Sequence, residues 1–132
     1  MTLLVPNVGE ELALKNFLNH TAAQDQTLKL FTSNTTPAET DTDVTYTECS
    51  ITGYSSKSLT GTSWVVTGGA PSDAAYAEQT FTFTGGFGAT VYGYYLVQTT
   101  SGTLMWAERD ASPYTPANNG DQIKLTPAIT AD

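Results

Sequence analysis

Three glutamates, Glu48, Glu78 and Glu108, are the side chains of this 132-residue chain best suited to acid–base work without help. A glycosidase needs only two carboxylates, one to protonate the leaving oxygen and one to attack the sugar or activate water. No spacing among the three selects a pair, so no catalytic residue is assigned from them. Nucleophilic hydrolysis needs a base that titrates near neutrality, and the single histidine, His20, falls at the expected end of a helix, where its charge suits the helix dipole. No serine sits in a GxSxG setting. The one cysteine, Cys49, has no Lys, Arg or His beside it to lower its thiol pKa and is expected to be a small buried filler.

Metal and phosphate chemistry fare no better. In ETDTD an extended backbone would put Glu39, Asp41 and Asp43 on one side, three oxygens that could gather a calcium ion. The segment is no EF-hand, because Val44 stands where that loop turns on Gly and Ser50 where it closes on Glu. A solvated acidic loop is the plainer reading. One His and one Cys cannot furnish a transition-metal site, and GGFGA lacks the Lys, the spacing and the following helix of a phosphate loop. The expectation is therefore a protein with no cofactor and no enzymatic activity.

The elements that must position these residues are mostly strands. Only 14% of residues are charged, and Thr, Val and aromatics recur with period two in TLKLFT, TYTEC, SWVVT, TFTFT, VYGYYLVQ, TLMWAER and QIKLTPAIT. Turn-forming stretches rich in Gly, Pro, Asn, Asp and Ser separate them. Seven or eight short strands without helical crossovers predict an all-β, mainly antiparallel sandwich or jelly-roll-like domain spanning residues 1–132. In TFTFT, Phe81 and Phe83 should point inward. The one helix comes first: Asn7 caps residues 8–19, with Glu10 and Glu11 in the positive first turn. Its apolar stripe is Ala13, Leu14, Phe17 and Leu18, while Pro6 keeps residues 1–7 extended as an amino-terminal arm.

The richest stretch is YGYYLVQTTSGTLMWAERD, residues 92–110. Strict alternation places Val91, Gly93, Tyr95 and Val97 on one face and Tyr92, Tyr94 and Leu96 on the other, with Leu104, Trp106 and Glu108 alternating against Met105, Ala107 and Arg109. Both faces are apolar, which predicts a central hairpin covered on both sides. Gly93 should let a ring lie against the backbone. The closing Glu108, Arg109 and Asp110 suggest a local ion pair or an intersubunit contact at the rim.

Thirteen acids against five bases give a net charge of −8, which repels a phosphate backbone and excludes nucleic acid as the natural partner. No stretch approaches a membrane span, and MTLLVPNVGEE has no basic segment before its short apolar run, so neither membrane nor secretory leader is expected.

Several segments in order, LLVPNVGEELALKNFLN at 3–19, LKLFTSNTTPAETDT at 28–42, YGYYLV at 92–97, LMWAER at 104–109 and GDQIKLTP at 120–127, resemble a family of small structural proteins of tailed bacteriophages, notably marine and cyanobacterial ones. The resemblance covers most of the chain. It implies a virion component made in the host cytoplasm, either a capsid decoration (cement) protein or a part of a tail, fibre or spike. The implied partners are the major capsid protein or other virion subunits, together with further copies in a trimer or dimer. It carries over no catalytic or metal-binding residue. On that reading Leu3, Leu4 and Val5 of the arm and Leu14, Phe17 and Leu18 of the helix would seal against a partner, or else close the domain's own core. The alternative is a receptor-binding module that holds host glycan through Tyr54, Tyr114 and Trp106.

Overall fold

The computed structural model describes residues 2–19 and 24–131, with side chains described for 3–13 and 24–130. The strands in chain order are β1 (Thr2–Leu4), β2 (Gln26–Phe31), β3 (Lys57–Leu59), β4 (Val65–Thr67), β5 (Ser72–Ala75), β6 (Gln79–Thr82), β7 (Val91–Gln98), β8 (Leu104–Tyr114), β9 (Gln122–Leu125) and β10 (Ala128–Ala131), and the helix α1 (Asn7–Asn19) follows β1. They form a five-stranded sheet ordered β1-β8-β7-β2-β3, a three-stranded sheet β10-β5-β4 and the pair β6-β9. Every pairing is antiparallel. The all-β class with one amino-terminal helix is as expected.

From Val91 to Gln98 on β7 and from Leu104 to Ala107 on β8, the central hairpin packs on both faces. On the inner side Leu28, Leu30, Phe81, Phe83, Leu96 and Trp106 form the main core, into which Ile123, Leu125 and Ile129 pack from the smaller sheets. On the outer side Phe31, Tyr46, Tyr95, Val97, Leu104 and Ala107 form a second core, closed by Val8 of α1 and by Tyr92. Each fully buried Phe or Leu contributes roughly 1.5–3 kcal/mol relative to exposure, so the two clusters supply most of the cohesion. Tyr46 stacks on Tyr95 with centroids 5.2 Å apart, and it tilts against Phe31 at 4.9 Å. Cys49 is buried in the main core.

Strict alternation fails at two places in this hairpin, both with a local cause. Between Leu96↔Trp106 and Val97↔Leu104 the β8 chain holds one extra residue, Met105, so Met105 and Trp106 both face the main core and Leu104 swings to the outer one. Between Val91↔Tyr114 and Gly93↔Arg109 the register slips again, and Val91 joins Tyr94 and Leu96 while Tyr92 joins Tyr95 and Val97. Gly93 is pressed by the Phe31 ring, its cross-strand partner on β2, where a Cβ would lie 2.9 Å from ring carbons.

Other expectations shift in detail. TYTEC is no strand: Asp43–Thr45 make a turn of 3-10 helix, and only Glu48 bridges to Phe31. QIKLTPAIT splits into β9 and β10 around the buried Pro127, which has no N–H to offer a ladder. Strand β5 lies in TGGAPSDAAYAE, whose Gly, Pro, Ser and Asp content reads as loop, and β3 lies in a stretch given no assignment from sequence. Phe81 and Phe83 do point inward.

The arm is docked. Thr2–Leu4 pairs with β8 through Thr2↔Arg109, Leu3↔Glu108 and Leu4↔Ala107, filling an edge that would otherwise present bare N–H and C=O groups. Leu3 and Val5 pack against the main core. The helix starts at Asn7, and its N-terminal turn is fastened by Asn7 N–H donating to the Glu39 carbonyl at 2.9 Å. Gly9 rests on the β8 bulge, where a Cβ would sit 2.1 Å from the Met105 carbonyl oxygen. Ala13, placed on the apolar stripe by spacing, is exposed. The side chains of Leu14, Phe17 and Leu18, and His20 altogether, lie outside the described residues.

Candidate functional site

The inner face of the five-stranded sheet is not wholly covered. Towards the β1 edge a cleft of about 720 Å³ opens between β7–β8 and the β9–β10 segment. Its apolar walls include Leu3, Leu30, Val91, Tyr94, Ile123 and Leu125, and its polar lining comprises Glu108, Asp110, Lys124 and the Tyr114 hydroxyphenyl group among others. Largely apolar clefts of this size with a few polar groups are the usual form of a binding site.

Three strands bordering the cleft are sheet edges: β1 ends the five-stranded sheet, β10 ends the three-stranded one, and β9 is paired only with β6. The cleft therefore lies where ladders stop.

The acidic side of the cleft is built by register. Tyr94 and Glu108 are direct cross-strand partners, which brings the buried Tyr94 phenol beside the Glu108 carboxylate. Burial, then the neighbouring Glu108 carboxylate, push the Tyr94 phenol far above its ordinary value, so it stays protonated. The Trp106 indole N–H favours the Tyr94 anion but has no hydrogen bond of normal geometry, although it is buried. Two residues on, Asp110 accepts from the Ser112 N–H at 2.9 Å, which fixes the looped-out chain before Tyr114. Tyr114 is 39% exposed, and desolvation, then the nearby Asp121 carboxylate, raise its phenol above the ordinary value. The N–H groups of Ala117 and Asn118 hold the Asp121 carboxyl below its ordinary value, as does Tyr114.

The other residues considered for chemistry are committed elsewhere. Glu48 pairs with Lys29 at 2.9 Å and accepts from the Tyr54 hydroxyl at 3.0 Å. That same hydroxyl accepts from the Leu30 N–H at 3.2 Å, replacing a ladder bond where β3 has ended. Glu78 is exposed in the turn before β6. Hence Glu48, Glu78 and Glu108 share no cleft, and Glu108 is instead accompanied by Asp110. Among Glu39, Asp41 and Asp43, Asp41 is used internally: one oxygen accepts from the Tyr46 hydroxyl at 2.7 Å and from the Ala38 N–H at 2.8 Å. Among the described residues no three His, Cys, Asp or Glu side chains gather as a metal site.

Arg109 departs from the expected ion pair. Its guanidinium lies 4.9 Å from the Tyr92 ring centroid and donates to the Thr35 carbonyl and the Asn34 side-chain oxygen, tying the 32–48 segment to the outer face. Of the aromatics considered for glycan, Trp106 is buried against Trp64 and Tyr54 is half-buried on Phe81, which leaves Tyr114 at the cleft mouth. Sequence reasoning missed Tyr94, Lys124 and the β9–β10 wall as a site. Pairing the hairpin outward from its turn would set Tyr94 opposite Ala107, and only the extra residue at Met105 brings it opposite Glu108.

No family model, no curated protein and no solved structure matches the chain.

Proposed function

We propose that this protein works by association, as a non-enzymatic structural component of a tailed-phage particle, and that it is a decoration protein cementing the capsid lattice. Its residence is then the virion surface and its partner the major capsid protein. The observation that carries the reading is the cleft: apolar walls, open strand edges and the carboxylates Glu108 and Asp110 suit an extended partner segment bearing a basic side chain. The spending of most rings on two internal cores, and the resemblance of segments 3–19, 28–42, 92–97, 104–109 and 120–127, support the same reading. On this reading Leu3, Leu4 and Val5 act by shaping the docking face, with Leu3 in the cleft wall and Leu4 in a smaller hollow beside Pro37 and Pro113.

The test is sedimentation with purified empty head shells. The parent chain should co-sediment and raise the temperature at which shells break, and Glu108→Lys with Asp110→Lys should lose both effects while keeping the parent's circular dichroism. Absence of shell binding at micromolar concentration, or an intact-particle map with the chain at a tail tip, would refute cementing. A second reading, glycan adhesion, is favoured by Tyr114, an exposed ring beside Asp110 at the cleft mouth. A glycan array with Tyr114→Ala as control decides it.

A further inference from the structure

Asn119 is the one asparagine of the chain that is followed by glycine. It sits in the turn 118–121 that leads into β9. The Asp121 N–H closes that turn by donating to the Asn118 carbonyl at 3.1 Å, and Gly120 holds its third place with φ +93°, as a type II turn demands. Two further bonds pin the turn: the Gly120 N–H donates to the Phe83 carbonyl and the Phe83 N–H to the Asp121 carbonyl, both at 2.9 Å. One Asp121 carboxylate oxygen also accepts from the N–H groups of Ala117 and Asn118. The Asn119 side chain takes no part in this. It is exposed, and its amide has no hydrogen bond among the described residues.

We propose that Asn119 is a site of covalent modification, where the chain converts its own side-chain amide to isoaspartate, and that the product loosens β9. The Gly120 backbone nitrogen, once hydroxide has taken its proton, bonds to Asn119 Cγ. The Cγ–Nδ2 bond breaks and the amide nitrogen leaves as ammonia with a proton from water, closing a five-membered imide. Water then opens the ring. Cleavage between the Gly120 nitrogen and the Asn119 main-chain carbonyl carbon leaves the chain running through the side-chain methylene beside a free α-carboxylate, whereas cleavage at Cγ gives ordinary aspartate. The attacking nitrogen is unshielded because glycine has no Cβ, and no atom lies within 4 Å of where one would stand. Asn34 differs on both counts: its successor is the β-branched Thr35, and its Oδ1 accepts from Arg109 at 2.6 Å. The Gly120–Phe83 bond must open before attack, and local opening at an exposed turn costs far less than global unfolding. Isoaspartate puts an extra backbone atom between residues 119 and 120, so the turn closure and the two Phe83 bonds no longer fit one spacing. Those bonds set the entry to β9, where Gln122 pairs with Thr82 and Ile123, Lys124 and Leu125 line the cleft.

The experiment is peptide mapping by mass spectrometry of the isolated full chain held in warm, mildly alkaline buffer, with isoaspartyl methyltransferase to tell isoaspartate from aspartate. Its outcome is independent of shell binding. Asn119 should convert about tenfold faster than Asn34 or Asn118, and faster again in urea, where Phe83 no longer holds the Gly120 nitrogen. In the separated isoaspartyl fraction the Phe83 amide should exchange hydrogen about tenfold faster than in the parent, because its Asp121 acceptor has shifted. Asn119→Asp gains the same charge without lengthening the chain and should keep the parent's protection. Asn119→Gln should stay unconverted. Earlier conversion at another asparagine overturns the proposal, as does a folded chain unmodified at Asn119, whatever happens in urea. An isoaspartyl fraction whose Phe83 amide exchanges as in the parent overturns the loosening of β9.

Discussion

Gly93→Ala is the substitution that probes the central hairpin most directly. The methyl group would lie 2.1 Å from the Glu108 carbonyl oxygen and 2.9 Å from two Phe31 ring carbons. Rotation of Phe31 is blocked, because that ring is fully buried between Tyr46 and Tyr95. The carbonyl belongs to β8 at a paired position, so relief requires the β7–β8 ladder to part locally. Overpacking a core usually costs about 1–3 kcal/mol, and a backbone contact that no rotamer change relieves puts this case at the upper end, about 3 kcal/mol. For a chain of this length that is a fall in melting temperature of roughly 10 °C. Gly68→Ala is the matched control, with no atom within 4 Å of the new methyl and no positive φ. It should be neutral or stabilise by up to about 1 kcal/mol through the unfolded chain. Thermal melts and urea titrations of both variants measure the difference. If Gly93→Ala melts within a degree or two of Gly68→Ala, the close packing of Phe31 on β7 is wrong.

Further outcomes follow from the same contacts. Tyr54→Phe should cost about 1–2 kcal/mol in urea unfolding, because it leaves the Leu30 N–H without its acceptor and takes one donor from Glu48, which keeps Lys29. Asp41→Ala should cost a similar amount and expose Tyr46 to quenchers, since it removes the acceptor that anchors the Tyr46 hydroxyl and the Ala38 N–H. Burial raises the phenols of Tyr46, Tyr54, Tyr94 and Tyr95 above the ordinary value of 10.0. The unfolded chain then releases these protons first, so their contribution is whole below pH 10 and declines as pH climbs above it. Absorbance at 295 nm should show these four ionising together with unfolding, and early ionisation of all seven tyrosines in a folded chain would contradict the burial.

The class of fold was legible because Thr, Val and aromatic residues alternate with turn chemistry, and TFTFT and VYGYYLVQ needed no tertiary information to be recognised as strands. What alternation could not reveal was where it breaks. An extra residue at Met105 and the detour at Asp110–Pro113 depend on how β8 lies against β7 and α1, and they move Leu104, Val91 and Tyr92 to faces that local spacing denies them. The cleft was less legible still. Leu3, Tyr94, Glu108 and Lys124 come from four strands, and only the fold brings them to one place. The carboxylate candidates illustrate the limit: Glu48 and Glu108 look alike along the chain, yet one is neutralised by Lys29 and the other opens onto the cleft.

Because both sides of β7 and of β8 as far as Ala107 are packed, that part of the hairpin has no idle surface on which new features could be tried without disturbing a core. Variation that spares folding must fall on sheet borders and connecting segments, so any change of partner during descent would be written there and the tyrosine-rich centre would stay silent.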